Sequence, residues 1–163
     1  MEPEETEGEY TAADSARDFV LDVIDAMGLV DADVEVATTE EGSLLVSVVG
    51  EGADRVVGRY GDTLNALQYL ATLVVTRDTG EHVRLTLDAD GYRGRREAAL
   101  IEQARELAEE VKQHGQEAEL DPLNAFERRI IHNALADDPD VTTYSEGEGD
   151  DRRVIIAPRV SEG

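Results

Sequence analysis

Apolar positions along this chain recur at two periods, and the changes of period mark its elements. From Asp14 to Met27 the residues Phe19, Val20, Val23, Ile24 and Met27 fall at helical spacing, and Gly28 supplies a stop. Two β-rich runs, Asp33–Thr39 and Ser43–Val49, flank Glu40-Glu41-Gly42, which reads as a hairpin with glycine in the turn. Residues 53–57 predict one helical turn ahead of Gly58-Arg59-Tyr60-Gly61. A longer helix follows, capped by Asp62 or Thr63 and burying Leu64, Leu67, Leu70, Ala71 and Val74. His82–Asp88 then alternates strictly, with Val83, Leu85 and Leu87 on one face, as a half-buried strand does. The predicted order is α-β-β-α-α-β.

A second unit begins with a long helix over roughly Arg93–Gln113, its apolar stripe made by Leu100, Ala104, Leu107 and Val111, and Gly115 ends it. Glu117–Leu120 predicts a short strand. Asp121-Pro122 reads as the start of another helix running to Ala136, with Ile130, Ile131, Ala134 and Leu135 inward. Val141–Ser145 and Val154–Ala157 predict an antiparallel pair around an acidic loop. The order here is α-β-α-β-β. The fold class expected is therefore α+β in two small domains: an acidic disordered tail over 1–10, a first domain over 11–91 and a second over 92–161 that includes the long connecting helix.

Composition narrows the function classes. The chain has 163 residues and no cysteine, so disulfides and cysteine-ligated zinc are excluded. No apolar run is long enough to span a bilayer, and the start MEPEETEGEY is acidic, unlike a secretory signal, so a cytoplasmic location is expected. The net charge of −23 opposes nucleic-acid binding, which draws on counterion release from phosphates. Its distribution is uneven, however. Residues 1–50 hold 14 acids and one base, and residues 101–163 hold 16 and seven, whereas residues 51–100 hold eight and seven. Fourteen of the 15 bases are arginines, whose planar donor fork suits phosphate, although a GC-rich genome or a salty cytoplasm accounts for arginine and surface acid equally well.

Two motifs carry chemistry. Gly58-Arg59-Tyr60-Gly61 lies between two predicted helices, where paired glycines let backbone approach sugar-phosphate and the following helix offers unpaired N–H groups. Arg59 suits a phosphate and Tyr60 a base. A lone GxxG more often means a tight turn, but in this element order it matches a type II KH domain. Arg128-Arg129-Ile130-Ile131-His132 places Arg128 and His132 one turn apart on one helical face, and Asn124 extends the stripe. Spacing alone favours a solvated face with an ordinary surface histidine. Arg93, Arg95 and Arg96 form a basic cluster at the start of the long helix, and with Arg55, Arg152 and Arg153 they are candidates for additional contacts. Glu146–Asp151 lacks the spacing of a calcium loop, and His82 and His114 read as surface residues. No nucleophile–base pair, phosphate-binding P-loop or His/Asp metal cluster is recognisable, so neither catalysis nor a metal, cofactor or small-molecule substrate is expected.

The stretch Asn124–Leu135 resembles the Arg-x3-His domain of the bacterial Jag family (SpoIIIJ-associated, also called KhpB or EloR). Val141–Glu148, Arg152–Pro158 and Gly61–Leu70 also look like that family, in the same order, over about residues 14 to 160. The resemblance implies a KH domain and an Arg-x3-His domain that together bind single-stranded RNA. It assigns RNA contact to Gly58, Arg59, Tyr60, Gly61, Asn124, Arg128, Arg129 and His132. It implies an RNA chaperone or post-transcriptional regulator acting in cell envelope growth and division, with a small stand-alone KH-domain protein as partner. Two departures are visible: only a short acidic tail stands where many relatives carry a Jag-N domain, which implies a form without it, and Tyr60 replaces a second basic loop residue. The competing expectation is a protein–protein adaptor that has kept this fold while its acidity has eroded RNA binding. Arginines converging on one face favour the first reading, and arginines scattered among carboxylates favour the second.

Overall fold

In the computed structural model, which describes residues 8–160, the chain divides into two units, one ending at Arg93 and one beginning at Gly94. The division falls inside the long helix, two residues after the expected boundary. The first seven residues of the expected acidic tail lie outside the described residues. Its last residue is held, because the Tyr10 hydroxyl donates to Asp18 Oδ2 at 3.0 Å.

In the first unit, helix α1 (Ala12–Ala26) starts at a reciprocal cap: Thr11 Oγ1 accepts from Asp14 N–H, and Thr11 N–H donates to Asp14 Oδ2. Strands β1 (Ala32–Thr38) and β2 (Leu44–Gly50) pair antiparallel as the hairpin signal predicts, and β3 (Leu85–Ala89) pairs with β2 in parallel. The sheet order is β1-β2-β3, and the crossover from β2 to β3 is carried by helix α2 (Asp62–Thr79). Ala16, Val20, Ile24, Val34, Val46, Val48, Leu64, Ala71, Val75 and Leu87 form its core. Ser15 Oγ donates to Asp78 Oδ2 at 2.8 Å, fixing α1 to the far end of α2.

The helical turn expected over 53–57 is a 3-10 turn, Ala53–Val56, followed by another at Arg59–Gly61. Two expectations need correction here. Neither Asp62 nor Thr63 caps α2; the N-cap is Gly61, in a left-handed conformation, with no side-chain cap. The inward face of α2 centres on Leu64, Ala71 and Val75, so Leu70 stays 46% exposed beside Tyr69 and Leu73.

In the second unit, helix α3 (Tyr92–His114) buries Leu100, Ala104, Ala108 and Val111, with Leu107 only partly covered. A three-stranded antiparallel sheet has the order β4-β6-β5, with β4 (Ala118–Glu119), β5 (Val141–Glu146) and β6 (Arg153–Pro158). Helix α4 begins at Ala125, not at Asp121-Pro122, and ends at Leu135. The reason is that residues 120–123 stay extended along β6: Leu120 N–H donates to Val154 O and Leu123 N–H to Arg152 O, both at 3.0 Å. Ile131, Leu135, Val141, Val154 and Ile156 complete this core.

Candidate nucleic-acid interface

The GxxG loop is built on positive-φ backbone at three of its four residues, Gly58, Tyr60 and Gly61. Gly58 adopts φ 70° and ψ −166°, and a Cβ there would lie 2.1 Å from Thr63 Oγ1, so the loop closes only around a residue without a side chain. Tyr60 follows at φ 51° and ψ 28°, a left-handed conformation that costs a non-glycine residue on the order of 1 kcal/mol. The residue is 59% exposed, and the Arg59 guanidinium sits over its ring, 5.6 Å from the centroid. Leu64 N–H donates back to Val57 O at 3.2 Å, while the amino end of α2 carries no capping side chain. A glycine-walled loop with an exposed arginine and an exposed aromatic thus leads into the amino end of α2, where the Asp62 N–H donates to Arg59 O and the Asp62 carboxylate lies in the first turn.

In the second unit the structure joins α4 to β5 at His132 and to the segment before α4 at Arg128. His132 Nδ1 lies 2.7 Å from Thr143 Oγ1, and Nε2 lies 3.0 Å from Ser145 Oγ. The neutral imidazole has one N–H, so one hydroxyl accepts from the ring and the other donates to it. Burial, and secondarily the charge of Arg128, push the His132 pKa below its ordinary value, which favours this neutral form. Arg128 Nη1 donates to Leu123 O at 2.6 Å. Both side chains are half-buried and engaged, so they are not the solvated surface stripe that the spacing alone suggests. Asn124 does not extend that stripe as a free amide: its Oδ1 accepts from Glu127 N–H at 2.9 Å and caps α4. Arg129 is exposed.

The remaining arginine candidates separate by burial. Arg93 binds the fold at three points: Nε donates to Leu87 O (2.7 Å), Nη1 to Asn65 Oδ1 (2.9 Å) and Nη2 to Gln68 Oε1 (3.1 Å). Burial lowers its pKa, against the opposing charge of Asp88. Arg96 Nε pairs with the buried carboxylate of Glu127 at 2.7 Å, joining α3 to α4. Arg153 pairs with Glu119 across β6 and β4. Of the arginine candidates for additional contacts, Arg93, Arg96 and Arg153 are thus engaged within the fold. Arg55, Arg59, Arg95, Arg129 and Arg152 are exposed. Arg152 adjoins the second motif, because its carbonyl accepts from Leu123 N–H while the Leu123 carbonyl accepts from Arg128.

Two residues of this constellation escaped the motif reading, Thr143 and Ser145. Alternation along Val141–Ser145 puts both on one strand face, but only the packing of α4 on β5 reveals that this face meets His132. Among the described residues no three histidine or acidic side chains gather as a metal site, and no helix is long and apolar enough to cross a membrane.

Comparison with known proteins finds a domain family in each unit. The KhpA/KhpB KH-domain family matches residues 17–87, and the R₃H-domain family, named for the arginine and histidine separated by three residues, matches residues 98–158. RNA-binding protein KhpB of Clostridium symbiosum is 40% identical over 148 residues, which is 90% of this chain and 66% of that protein. RNA-binding protein KhpB of Lactiplantibacillus plantarum is 37% identical over 150 residues, 91% of this chain and 46% of that protein. The Bacillus subtilis protein of the same name is 37% identical over 112 residues, 68% of this chain and 54% of its own length. The chain thus spans between about half and two thirds of these relatives. With two domain families matched in order and relatives aligned over nine-tenths of its length, the chain belongs to the KhpB (Jag) family, composed of a KH domain and an Arg-x3-His domain.

Proposed function

We propose that this chain binds single-stranded RNA through two separate contacts, the Gly58–Gly61 loop of its KH domain and the α4–β5 edge of its Arg-x3-His domain, without catalysing a reaction. The observation that carries the reading is the position of the exposed arginines. Arg59 stands on the glycine loop at the amino end of α2, and Arg129 and Arg152 flank the Arg128–His132 pair, while Arg93, Arg96 and Arg153 are consumed by the fold. In a chain of net charge −23, Arg59, Arg129 and Arg152 place exposed cations at the two motifs, where they can meet phosphate, and Arg84 and Arg105 are exposed elsewhere. The relatives' name, RNA-binding protein KhpB, supports the same reading. The role proposed with it is that of an RNA chaperone or post-transcriptional regulator in the cytoplasm, with its effect on envelope growth and division resting on the family resemblance.

A second element of the proposal is a protein partner. Tyr69 (66% exposed), Leu70 and Leu73 make an uncovered apolar strip on α2, and the family matched over this domain includes KhpA as well as KhpB. A small stand-alone KH protein is the partner proposed for that strip.

The test is photocrosslinking of the full chain to 4-thiouridine-containing single-stranded RNA, with adducts located by mass spectrometry. Adducts within 58–61 and 126–132 are expected. Adducts confined to other segments, or none above a non-binding control protein, would overturn the assignment.

A further inference from the structure

From the outer face of α4 we infer a base-stacking subsite formed by Phe126, with Arg129 beside it to hold the adjoining phosphate; this rests on the RNA-binding reading above. Phe126 is 68% exposed and takes no part in the core of its unit, where Glu127, Ile131 and Leu135 make the inward face of the helix. Phe126, Arg129 and Asn133 recur at helical spacing on the opposite face, and all three are exposed. Arg129 lies between Phe126 and the flank that carries Arg128 and His132. The Arg129 guanidinium has no hydrogen bond or ion pair among the described residues.

The kind of ligand follows from what surrounds the ring. Among the described residues of this unit, the other exposed large apolar side chains are Tyr144 and Val160. Tyr144 lies on the face of β5 opposite Thr143 and Ser145, hence away from α4, and its hydroxyl is bound to Glu117. Phe126 is therefore the one exposed large apolar side chain of α4, with the partly buried Ile130 one turn on, too small a patch for a protein interface, which needs several hundred Å² of continuous apolar surface. An unpaired base needs one aromatic face and a nearby cation. A protein docking on this helix is the competing outcome.

The chain contains no tryptophan, so Phe126→Trp in the full chain gives an emission signal from this position alone. Binding of an eight-nucleotide mixed-sequence RNA is measured by anisotropy for wild type, Phe126→Ala and Phe126→Trp, with thermal melts alongside. Phe126→Ala is expected to raise Kd roughly tenfold, the scale of one base–aromatic stack, with an unchanged melt. Phe126→Trp is expected to keep near-wild-type affinity, with its emission changing as RNA saturates. Wild-type affinity in Phe126→Ala, or unchanged Trp emission at saturation, would overturn the stacking site while leaving RNA binding in place. Absence of RNA binding by the wild type would overturn both.

Discussion

Replacing Arg96 by alanine separates a structural arginine from an RNA contact. Arg96 Nε lies 2.7 Å from Glu127 Oε1, with side chains 23% and 9% exposed, so the substitution strands a buried carboxylate. Breaking a buried pair from one side costs about 3–5 kcal/mol. Two features reduce that figure here. Water can reach Glu127 through the space Arg96 leaves, and Glu127 lies in the first turn of α4, where the helix dipole offsets its charge by about 0.3–1 kcal/mol. The expected loss is about 2–3 kcal/mol in the second unit. For a unit of this size, at about 4–8 °C per kcal/mol, its melting temperature falls by on the order of 10 °C. Calorimetry, with amide exchange localising the loss to residues 94–160, is the assay, and RNA affinity well below the melt should stay near wild type. Glu127→Gln, which keeps an acceptor without the charge, should lose less. An Arg96→Ala protein that melts like wild type but binds RNA weakly would refute the reasoning and return Arg96 to the interface.

The other expectations are more local. Arg129→Ala should leave stability within about 0.5 kcal/mol of wild type while weakening RNA binding and lowering the salt slope by about one, seen in titrations at several salt concentrations. Asn124→Ala removes the cap of α4 and should cost about 1 kcal/mol in urea unfolding, with an RNA defect no larger than that loss explains. Gly58→Ala should destabilise the first unit by about 1–3 kcal/mol, because its Cβ meets Thr63 and its backbone sits at φ 70°; thermal melts that match wild type would contradict this. His132 has a depressed folded-state pKa, so the unfolded chain takes up its proton first. Its stabilising contribution is complete above about pH 6.5, the unfolded value, and is lost as pH falls from there through the folded value. His132→Gln should remove that part of the acid dependence of the melt.

Periodicity made much of the fold legible. The hairpin, the two long helices and the closing antiparallel pair are all local patterns, and each lies within a few residues of its expected place. Misses arose where a distant contact overrides a local signal. Asp121-Pro122 is a sound helix start by itself, but residues 120–123 are drawn into hydrogen bonds with β6, and Asn124 caps instead. Leu70 belongs to the apolar pattern of α2 yet stays exposed, since the packed face turns toward Val75. The site was legible as two motifs, not as surfaces. Sequence places Arg93, Arg95 and Arg96 together, but it carries no signal that Leu87, Asn65 and Gln68 bind the first and Glu127 the third. Nor does it show that β5 brings Thr143 and Ser145 to His132, because that pairing depends on how α4 rests on the sheet.

Binding of a mixed-sequence single-stranded RNA to the wild-type chain and to an Arg59→Asp, Tyr60→Asp loop variant, at low and near-physiological salt, tests the central claim most directly. Both glycines are kept, so the loop can still close around Thr63. Wild-type binding is expected to weaken as salt rises, and the variant to melt normally but lose most of its affinity at both salts. Absence of wild-type binding at low salt, or a variant that binds like wild type, would contradict the claim.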